Sequence, residues 1–366
     1  MTSKIALIGL LAACVALTAG CAAQRTAGTG ATADEQSLAE ASAAERHFLM
    51  GEQLFATQMW DEAAAEFRAA TEADPAHQKS YKALGRTLIE QGLADQAIAA
   101  YKKAWELAPN DPGAHSGLAS AYVAAGKLYD AAEEYKLAAD LDPANPQNYM
   151  DMGATFNKQG LLPEAIEAYR KAVEMAPMDQ AVLLTLGNVL YENQMYVDAI
   201  SIYSRALLLA PEDLVVTKTL GWLYLKTERY SEAAEFYERA SVMAPTDPQL
   251  RYWLSSAYDK LGNQDKAILN MEKAVELSPE NSDLFWMLGD MYNKAKRYSD
   301  AIAVVEKQLG LKPASAGAYF VWGKALEAQG LYDEALVKYQ KAVDFNDPAW
   351  SSSAAMAIKE IKKQQQ

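Results

Sequence analysis

The chain has 366 residues, a formal net charge of −14 and two cysteines, Cys14 and Cys21. The excess of 48 acidic over 34 basic residues argues against a general nucleic-acid binder, because such a protein needs a basic face to displace counterions. Both cysteines lie within the first 21 residues, which excludes a disulfide framework or a Cys-rich zinc site from the rest of the chain. The acidity itself has two interpretations, solubility at neutral pH or an acidic docking surface.

Residues 1–20 have the pattern of a secretory signal. Lys4 supplies a positive start, and an apolar stretch of 13 residues follows, shorter than the roughly 20 residues that a spanning helix needs. The stretch ends in a motif that resembles the lipobox of bacterial lipoproteins, Leu17-Thr18-Ala19-Gly20-Cys21. The resemblance implies cleavage before Cys21 and attachment of three acyl chains to it. An ordinary cleaved signal, or an uncleaved anchor helix running on to Ala23, are the alternatives.

The residues after Cys21 predict how the chain is attached. Several acyl chains give stable membrane residence, whereas one gives only marginal residence. Ala22 stands where an Asp would retain a lipoprotein at the inner membrane, so the resemblance implies an outer-membrane anchor facing the periplasm. Inner-membrane or surface-exposed attachment are alternatives. Residues 21–43 are small and polar and predict a flexible tether, with helix beginning near Ser37.

A period of 34 residues runs through the remainder of the chain. Alanine recurs at this interval nine times, at Ala63, Ala97, Ala131, Ala165, Ala199, Ala233, Ala267, Ala301 and Ala335. Proline recurs at the same interval at Pro75, Pro109, Pro143, Pro177, Pro211, Pro245, Pro279 and Pro313. The period predicts nine repeats over residues 44–348, which start at positions 44, 78, 112, 146, 180, 214, 248, 282 and 316.

The contents of each repeat resemble the tetratricopeptide repeat, whose pattern is W-x2-L-G-x2-Y, then A-x3-F, then P. In the second repeat the pattern falls on Tyr81, Leu84, Gly85 and Leu88, then Ala97, Tyr101, Ala104 and Pro109. The resemblance implies an all-α superhelix of helix-turn-helix repeats. Residues 349–366 predict a C-terminal capping helix, with one apolar side made of Trp350, Ala354, Ile358 and Ile361 and one basic side made of Lys359, Lys362 and Lys363.

Small residues and capping residues mark each predicted helix pair. Gly at repeat position 8 and Ala at position 20 let the two helices approach closely. Glycines predicted to end the first helices are Gly92, Gly126, Gly160, Gly262 and Gly330. Caps for first helices are Asp111, Asn145, Asp179, Asp213, Asp247, Asn281 and Ser315. Caps expected for second helices are Asp61, Asp95, Ser231, Asp265, Ser299 and Asp333.

The resemblance also implies where a partner binds. In this family the first helices line a concave groove, mainly through positions 2, 5, 9, 12 and 13. Carried onto this chain, the protein-binding groove is Tyr191, Trp222, Tyr252, Trp286, Phe320, Asn157, Asn188, Asn293, Lys158, Lys218, Lys226, Lys260 and Lys294, with Phe48 and Phe55 on the same face. Aromatic anchors dominate binding energies. The alternative for the tryptophans is packing against the next repeat, and for the lysines and asparagines ordinary repeat consensus.

The sequence predicts no catalysis, no cofactor and no metal. His47 and His115 fall at repeat position 4 and are expected to be buried packing residues, while His77 lies between repeats. No phosphate-binding glycine loop or His-Glu metal spacing is present. We therefore expect a membrane-anchored scaffold that binds an extended or helical segment of an envelope protein and assists assembly of a pilus, secretion or polysaccharide-export complex. Binding of cell-wall glycan or exported polysaccharide by the aromatic groove is the alternative.

Overall fold

The computed structural model of the chain describes residues 41–365. This part consists of nineteen α-helices and contains no β-strand. The predicted signal segment, Cys21, most of the predicted tether and the helix start expected near Ser37 lie outside the described residues. The all-α prediction is confirmed for the described part.

The helices alternate as first and second members of nine pairs. The first helices are α1 Ala43–Ala56, α3 Gln78–Glu90, α5 Pro112–Ala124, α7 Pro146–Gln159, α9 Gln180–Glu192, α11 Leu214–Lys226, α13 Pro248–Lys260, α15 Ser282–Lys294 and α17 Ala316–Ala328. The second helices are α2 Trp60–Ala73, α4 Ala94–Leu107, α6 Leu128–Leu141, α8 Leu162–Met175, α10 Tyr196–Leu209, α12 Tyr230–Met243, α14 Gln264–Leu277, α16 Tyr298–Leu311 and α18 Tyr332–Asp344. The chain continues into α19, Ser351–Gln364.

The chain divides into two compact units, the first ending at Asp130 and the second beginning at Ala131. In the first unit, consecutive helices enclose a core that includes Phe67, Leu88, Tyr101 and Leu118. In the second unit, one core runs from Ala165 to Ala325, and a smaller core surrounds Tyr339 and Ile361. Within each unit, consecutive helix pairs cover one another, because a single helix pair is too small to bury its own apolar faces.

The small residues lie where the paired helices cross. All nine alanines of repeat position 20 are fully buried. At Gly85 an added Cβ would lie 2.5 Å from ring atoms of Tyr101, and at Gly51 it would lie 2.5 Å from the ring of Phe67. The aromatic ring sixteen residues later therefore occupies the space that the glycine leaves open, which confirms the predicted role of the small residues.

The helix ends repeat one turn geometry. The five predicted glycines have φ between 73° and 78°. The same left-handed conformation occurs without glycine at Gln58, Gln194, Glu228 and Lys296. All seven predicted caps of first helices are confirmed, since each accepts a hydrogen bond from a backbone N–H of the following turn.

The predicted caps of the second helices are wrong. Asp61, Asp95, Ser231, Asp265, Ser299 and Asp333 are each the second residue of their helix rather than its cap. The turn before each second helix explains why these residues are not caps. The cap residue of α2, Met59, also closes the end of α1, because its N–H donates a hydrogen bond to the carbonyl of Leu54, five residues earlier. Met59, Leu93 and Leu331 are apolar at that position and can pack back on the first helix, whereas Arg229 and Arg297 are charged there and Asn263 caps α14 through its own side chain. The carboxylates instead lie in the first turn, where the helix dipole favours them.

Two further expectations have different outcomes. His115 is buried, with 6% exposure, as expected, and its Nε2 lies 3.0 Å from the carbonyl oxygen of Pro109. The expectation for His47 is wrong: its side chain is 44% exposed, and its Nδ1 lies 2.7 Å from Oε2 of Glu66. No earlier helix among the described residues covers this position of α1. The capping helix α19 buries Ala354 and Ile361 and exposes Lys359, Lys362 and Lys363, as its pattern predicts.

Between residues 41 and 365, every helix is too short or too polar to cross a lipid bilayer.

Candidate binding site

An aromatic cluster lies on the first helices of repeats five and six, in the second unit. The ring of Trp222 on α11 packs at 5.0 Å between centroids on Tyr191 of α9, and edge-on at 5.5 Å on Tyr196. The Lys226 ammonium lies 5.1 Å from the Trp222 ring centroid, one helical turn further on. We call Tyr191, Tyr196, Trp222 and Lys226 the Trp222 cluster. Its three rings are half-buried and its lysine is exposed.

Tyr196 is a member that sequence reasoning missed. It is the first residue of α10, just after the left-handed turn at Gln194, so the chain folds back and brings it beside the end of α9. The first repeat has the same arrangement, where Trp60 packs at 4.7 Å on Phe55. An aromatic residue directly after the left-handed turn is the sequence pattern that would have predicted Tyr196 as a member of the cluster.

The polar residues predicted for the groove differ in whether they already have partners. Asn157, Lys158 and Lys260 are exposed, with no side-chain hydrogen bond or ion pair among residues 41–365. Asn188 accepts a hydrogen bond of 2.5 Å from the hydroxyl of Tyr203. Burial raises the pKa of Tyr203 to about 12, so the phenol stays protonated and keeps donating at neutral pH.

Lys218 is engaged within the fold. Its Nζ lies 2.9 Å from Oδ2 of Asp247, whose other carboxylate oxygen accepts the N–H of Gln249 and caps α13. Burial alone would raise the pKa of Asp247, but the hydrogen bonds from Lys218 and from the backbone outweigh it and hold the pKa below its usual value. Lys82 makes the equivalent pair with Asp111 at 2.7 Å in the first unit. The ammonium groups of Lys218 and Lys82 therefore link successive repeats through ion pairs within the fold.

The predicted groove residues of the last two repeats are also occupied by contacts within the chain. Trp286 meets Trp350 with ring centroids 4.9 Å apart, and Phe320 lies 5.4 Å from the same indole. Asn293 donates a hydrogen bond of 2.9 Å to the carbonyl of Val321. Lys294 pairs with Asp290 at 3.2 Å. Trp286 and Phe320 thus pack on the C-terminal segment, Asn293 binds the next first helix, and Lys294 is paired within its own helix.

The remaining aromatic residues of this face lie in separate places. Tyr252 packs at 4.9 Å on the adjacent Trp253. In the first unit, the ring centroids of Phe48 and His77 are 5.6 Å apart. The guanidinium carbon of Arg86 lies 4.0 Å from the ring centroid of Phe55. The structure thus brings Tyr191 and Trp222 together and leaves Tyr252 beside a different partner.

This arrangement can bind a partner through its rings and the ammonium groups beside them. Half-exposed indole and phenol rings accept apolar or planar groups, and exposed lysines attract carboxylates. Among residues 41–365, no group of three or more His, Cys, Asp or Glu side chains is placed to hold a metal ion.

Sequence models of known families match most of this region. Models described as tetratricopeptide repeat match residues 48–112, 88–152, 146–178, 179–245 and 218–281, which together span residues 48–281 without a gap. A model described as anaphase-promoting complex, cyclosome, subunit 3 matches residues 260–342. No curated protein matches the chain.

Several solved structures resemble parts of it. The crystal structure of MamA protein is 26% identical over 45% of this chain and 91% of its own, with a TM-score of 0.43. YrrB, described as a TPR protein with an unusual peptide-binding site, is 23% identical over 54% of this chain and 99% of its own, with a TM-score of 0.45. A tetratricopeptide repeat protein from Parabacteroides merdae is 22% identical over 69% and 98%, with a TM-score of 0.40. From the repeat sequence, the paired helices and the matching family models, the chain belongs to the tetratricopeptide repeat family.

Proposed function

We propose that this protein is an interaction scaffold of the bacterial envelope, which binds a segment of a partner protein at the Trp222 cluster. Helix-pair repeats bury a core between neighbours and leave an extended face for binding. The observation that carries the proposal is the group of three half-buried rings around Trp222, with Lys226 beside them. No other part of the predicted groove combines converging rings with an exposed lysine that lacks an ion-pair partner in the described residues.

The chemistry of the cluster specifies the partner segment. A large rigid ring that is held in place by two others loses little side-chain entropy on binding and forms a strong anchor. An apolar or aromatic side chain of the partner would pack on Trp222. Carboxylates of the partner on either side of it would form ion pairs with Lys226, Lys158 and Lys260. We therefore expect an extended or helical segment with an apolar anchor residue and flanking acidic residues.

Anchoring by lipid on Cys21 completes the proposal. The lipobox-like motif before Cys21 and the polar stretch after it support a body tethered to the outer membrane and facing the periplasm. There the scaffold would hold a component of a pilus, secretion or polysaccharide-export complex. Replacing Cys21 by Ser should release the protein from the membrane fraction. Continued membrane attachment of that variant would refute lipid anchoring and leave the binding proposal intact.

The binding proposal is tested by capture from envelope extracts. The wild-type chain should retain a discrete protein that remains bound after digestion with glycan-degrading enzymes, and the Trp222→Ala variant should lose it. The matched control is Tyr129→Ala, since Tyr129 is a highly exposed aromatic residue on the second helix α6. Capture that is equal in Trp222→Ala would refute the site, and capture abolished by the glycan-degrading enzymes would favour glycan binding instead.

A further inference from the structure

A cleft of about 300 Å³ opens between the second helices of repeats six and seven. Its walls are α12 and α14, and α13 forms its floor. The polar side chains at its centre are Ser241, Arg251 and Asn270. We call this space the outer cleft, and all of it lies within the second unit.

The three polar residues replace apolar ones. The equivalent residues between repeats four and five are Val173, Leu183 and Ile202, and between repeats seven and eight they are Val275, Phe285 and Val304. Leu183 and Phe285 are fully buried members of the core. At these two repeat boundaries the same helical scaffold carries only apolar side chains where the outer cleft has Ser241, Arg251 and Asn270.

One polar group in the cleft has no partner. Ser241 is only 4% exposed, and its hydroxyl makes no hydrogen bond. Asn270 is buried and already donates to the carbonyl of Lys266 at 2.8 Å, while its amide oxygen lies 3.4 Å from an Arg251 nitrogen. A buried hydroxyl without a partner is unfavourable, so its place at an open cleft indicates a ligand that completes its hydrogen bonding.

The cleft carries an excess of positive charge. Arg251, Lys266 and Lys273 line it, and Glu238 is its one acidic residue. Glu238 accepts a hydrogen bond from the hydroxyl of Tyr258, which lies 3.1 Å from the Lys266 ammonium. Neither Arg251 nor Lys273 has an ion-pair partner in the part of the chain that the structure describes. An anionic ligand would therefore meet two uncompensated cations, and a guanidinium favours a carboxylate that it can hold with two hydrogen bonds.

The rim of the cleft favours a peptide over a small ion. Val242 is 82% exposed and Leu269 is 49% exposed, one on each wall. A free anion would leave both apolar side chains in water, whereas a chain with apolar residues beside its acidic one would cover them. We propose that the outer cleft is a second binding site, which takes a glutamate side chain flanked by apolar residues in an acidic segment of a partner protein.

The test uses the full chain and a blocked peptide that carries one glutamate between two leucines. Its twin has glutamine in place of the glutamate. Titration should show the glutamate peptide binding at least about tenfold more tightly than its twin, because the charge-assisted hydrogen bonds are lost with the amide. The triple variant Ser241→Val, Arg251→Phe, Asn270→Val copies the apolar residues at the equivalent positions between repeats seven and eight. It should lose about tenfold or more in affinity while its thermal stability is unchanged or raised.

Further variants keep the result interpretable. Arg251→Gln preserves size and polarity, so it should weaken binding even if the triple variant folds poorly. Arg205→Gln removes an exposed charge from α10 and should leave binding unchanged. Equal binding of the two peptides, unchanged binding in Arg251→Gln, tighter binding of a leucine peptide with a free C-terminus, or no binding at millimolar concentration would overturn the proposal.

Discussion

The indole of Trp350 packs edge-on against the indole of Trp286, with ring centroids 4.9 Å apart and planes at 73°. Trp350 stands just before α19, so the chain leaving the last repeat returns to the first-helix face of the eighth. Phe320 packs on the same ring. The C-terminal segment thereby covers two aromatic residues of the predicted groove, Trp286 and Phe320, at its own end of the chain.

Removing this ring should loosen the end of the second unit. We expect Trp350→Ala to cost about 2–4 kcal/mol, since it deletes a large side chain packed between two others. Repeat proteins pass stability mainly between neighbours. Hydrogen exchange should therefore accelerate in α17 and α19 and stay unchanged in α9. The half-exposed Trp105 provides the control, because Trp105→Ala should leave α17 and α19 protected. Uniform acceleration along the second unit would contradict this local coupling.

Glycine should stabilise turns that now lack it. Gln194 has φ of 60°, at the position where Gly160 has φ of 77° one repeat earlier. The left-handed conformation costs a residue with a Cβ about 1–2 kcal/mol. Glycine avoids this cost, but it loses more conformational entropy on folding, which offsets part of the gain. Gln194→Gly should therefore raise the free energy of unfolding by about 0.5–1 kcal/mol. Chemical denaturation measures it, and the mirror variant Gly160→Gln should lower stability by a similar amount. Destabilisation by Gln194→Gly would show that its side chain matters more than its backbone.

Two glycines of the same repeat position should respond differently to alanine. A Cβ at Gly85 would lie 2.5 Å from the ring of Tyr101, whereas at Gly187 the nearest ring atoms of Tyr203 are 3.2 Å away. Alanine gains about 1 kcal/mol over glycine in a helix, while overpacking costs about 1–3 kcal/mol. Thermal unfolding should thus show a clear loss for Gly85→Ala and a change near zero for Gly187→Ala. Equal losses in the two variants would mean that the ring contact does not decide the effect.

The Lys218–Asp247 pair should make stability depend on pH in one direction. The pKa of Asp247 is lowered in the folded chain, so its contribution is fully present above the unfolded pKa of about 3.9 and is lost as pH falls through the folded value. Lys218→Met should cost about 0.5–1 kcal/mol at neutral pH, a modest amount because the pair is partly exposed. The cost should shrink toward zero near pH 2. Denaturation of wild type and variant across this range measures it, and a cost that is constant with pH would contradict the ion-pair explanation.

The helix pairs could be predicted from sequence because each depends on residues close together in the chain. Gly92 predicts a left-handed turn and Asp247 a helix cap from local geometry alone, and both are found. The alanine at position 20 could be predicted because its helix partner lies within the same 34 residues. The second-helix caps failed for a local reason as well: Met59 serves the end of one helix and the start of the next, and the first requirement prevails.

Which groove residues remain open was decided by the tertiary structure. The sequence determined that Trp222, Trp286 and Lys218 lie on first helices, Trp222 at repeat position 9 and the other two at position 5. It did not determine that Trp350, 64 residues later, covers Trp286, or that Asp247, 29 residues later, binds Lys218. A helical period fixes the direction of a side chain relative to its own helix. What that side chain meets depends on how separate repeats stack, and this stacking also converts Ser241, Arg251 and Asn270 from three scattered substitutions into one cleft.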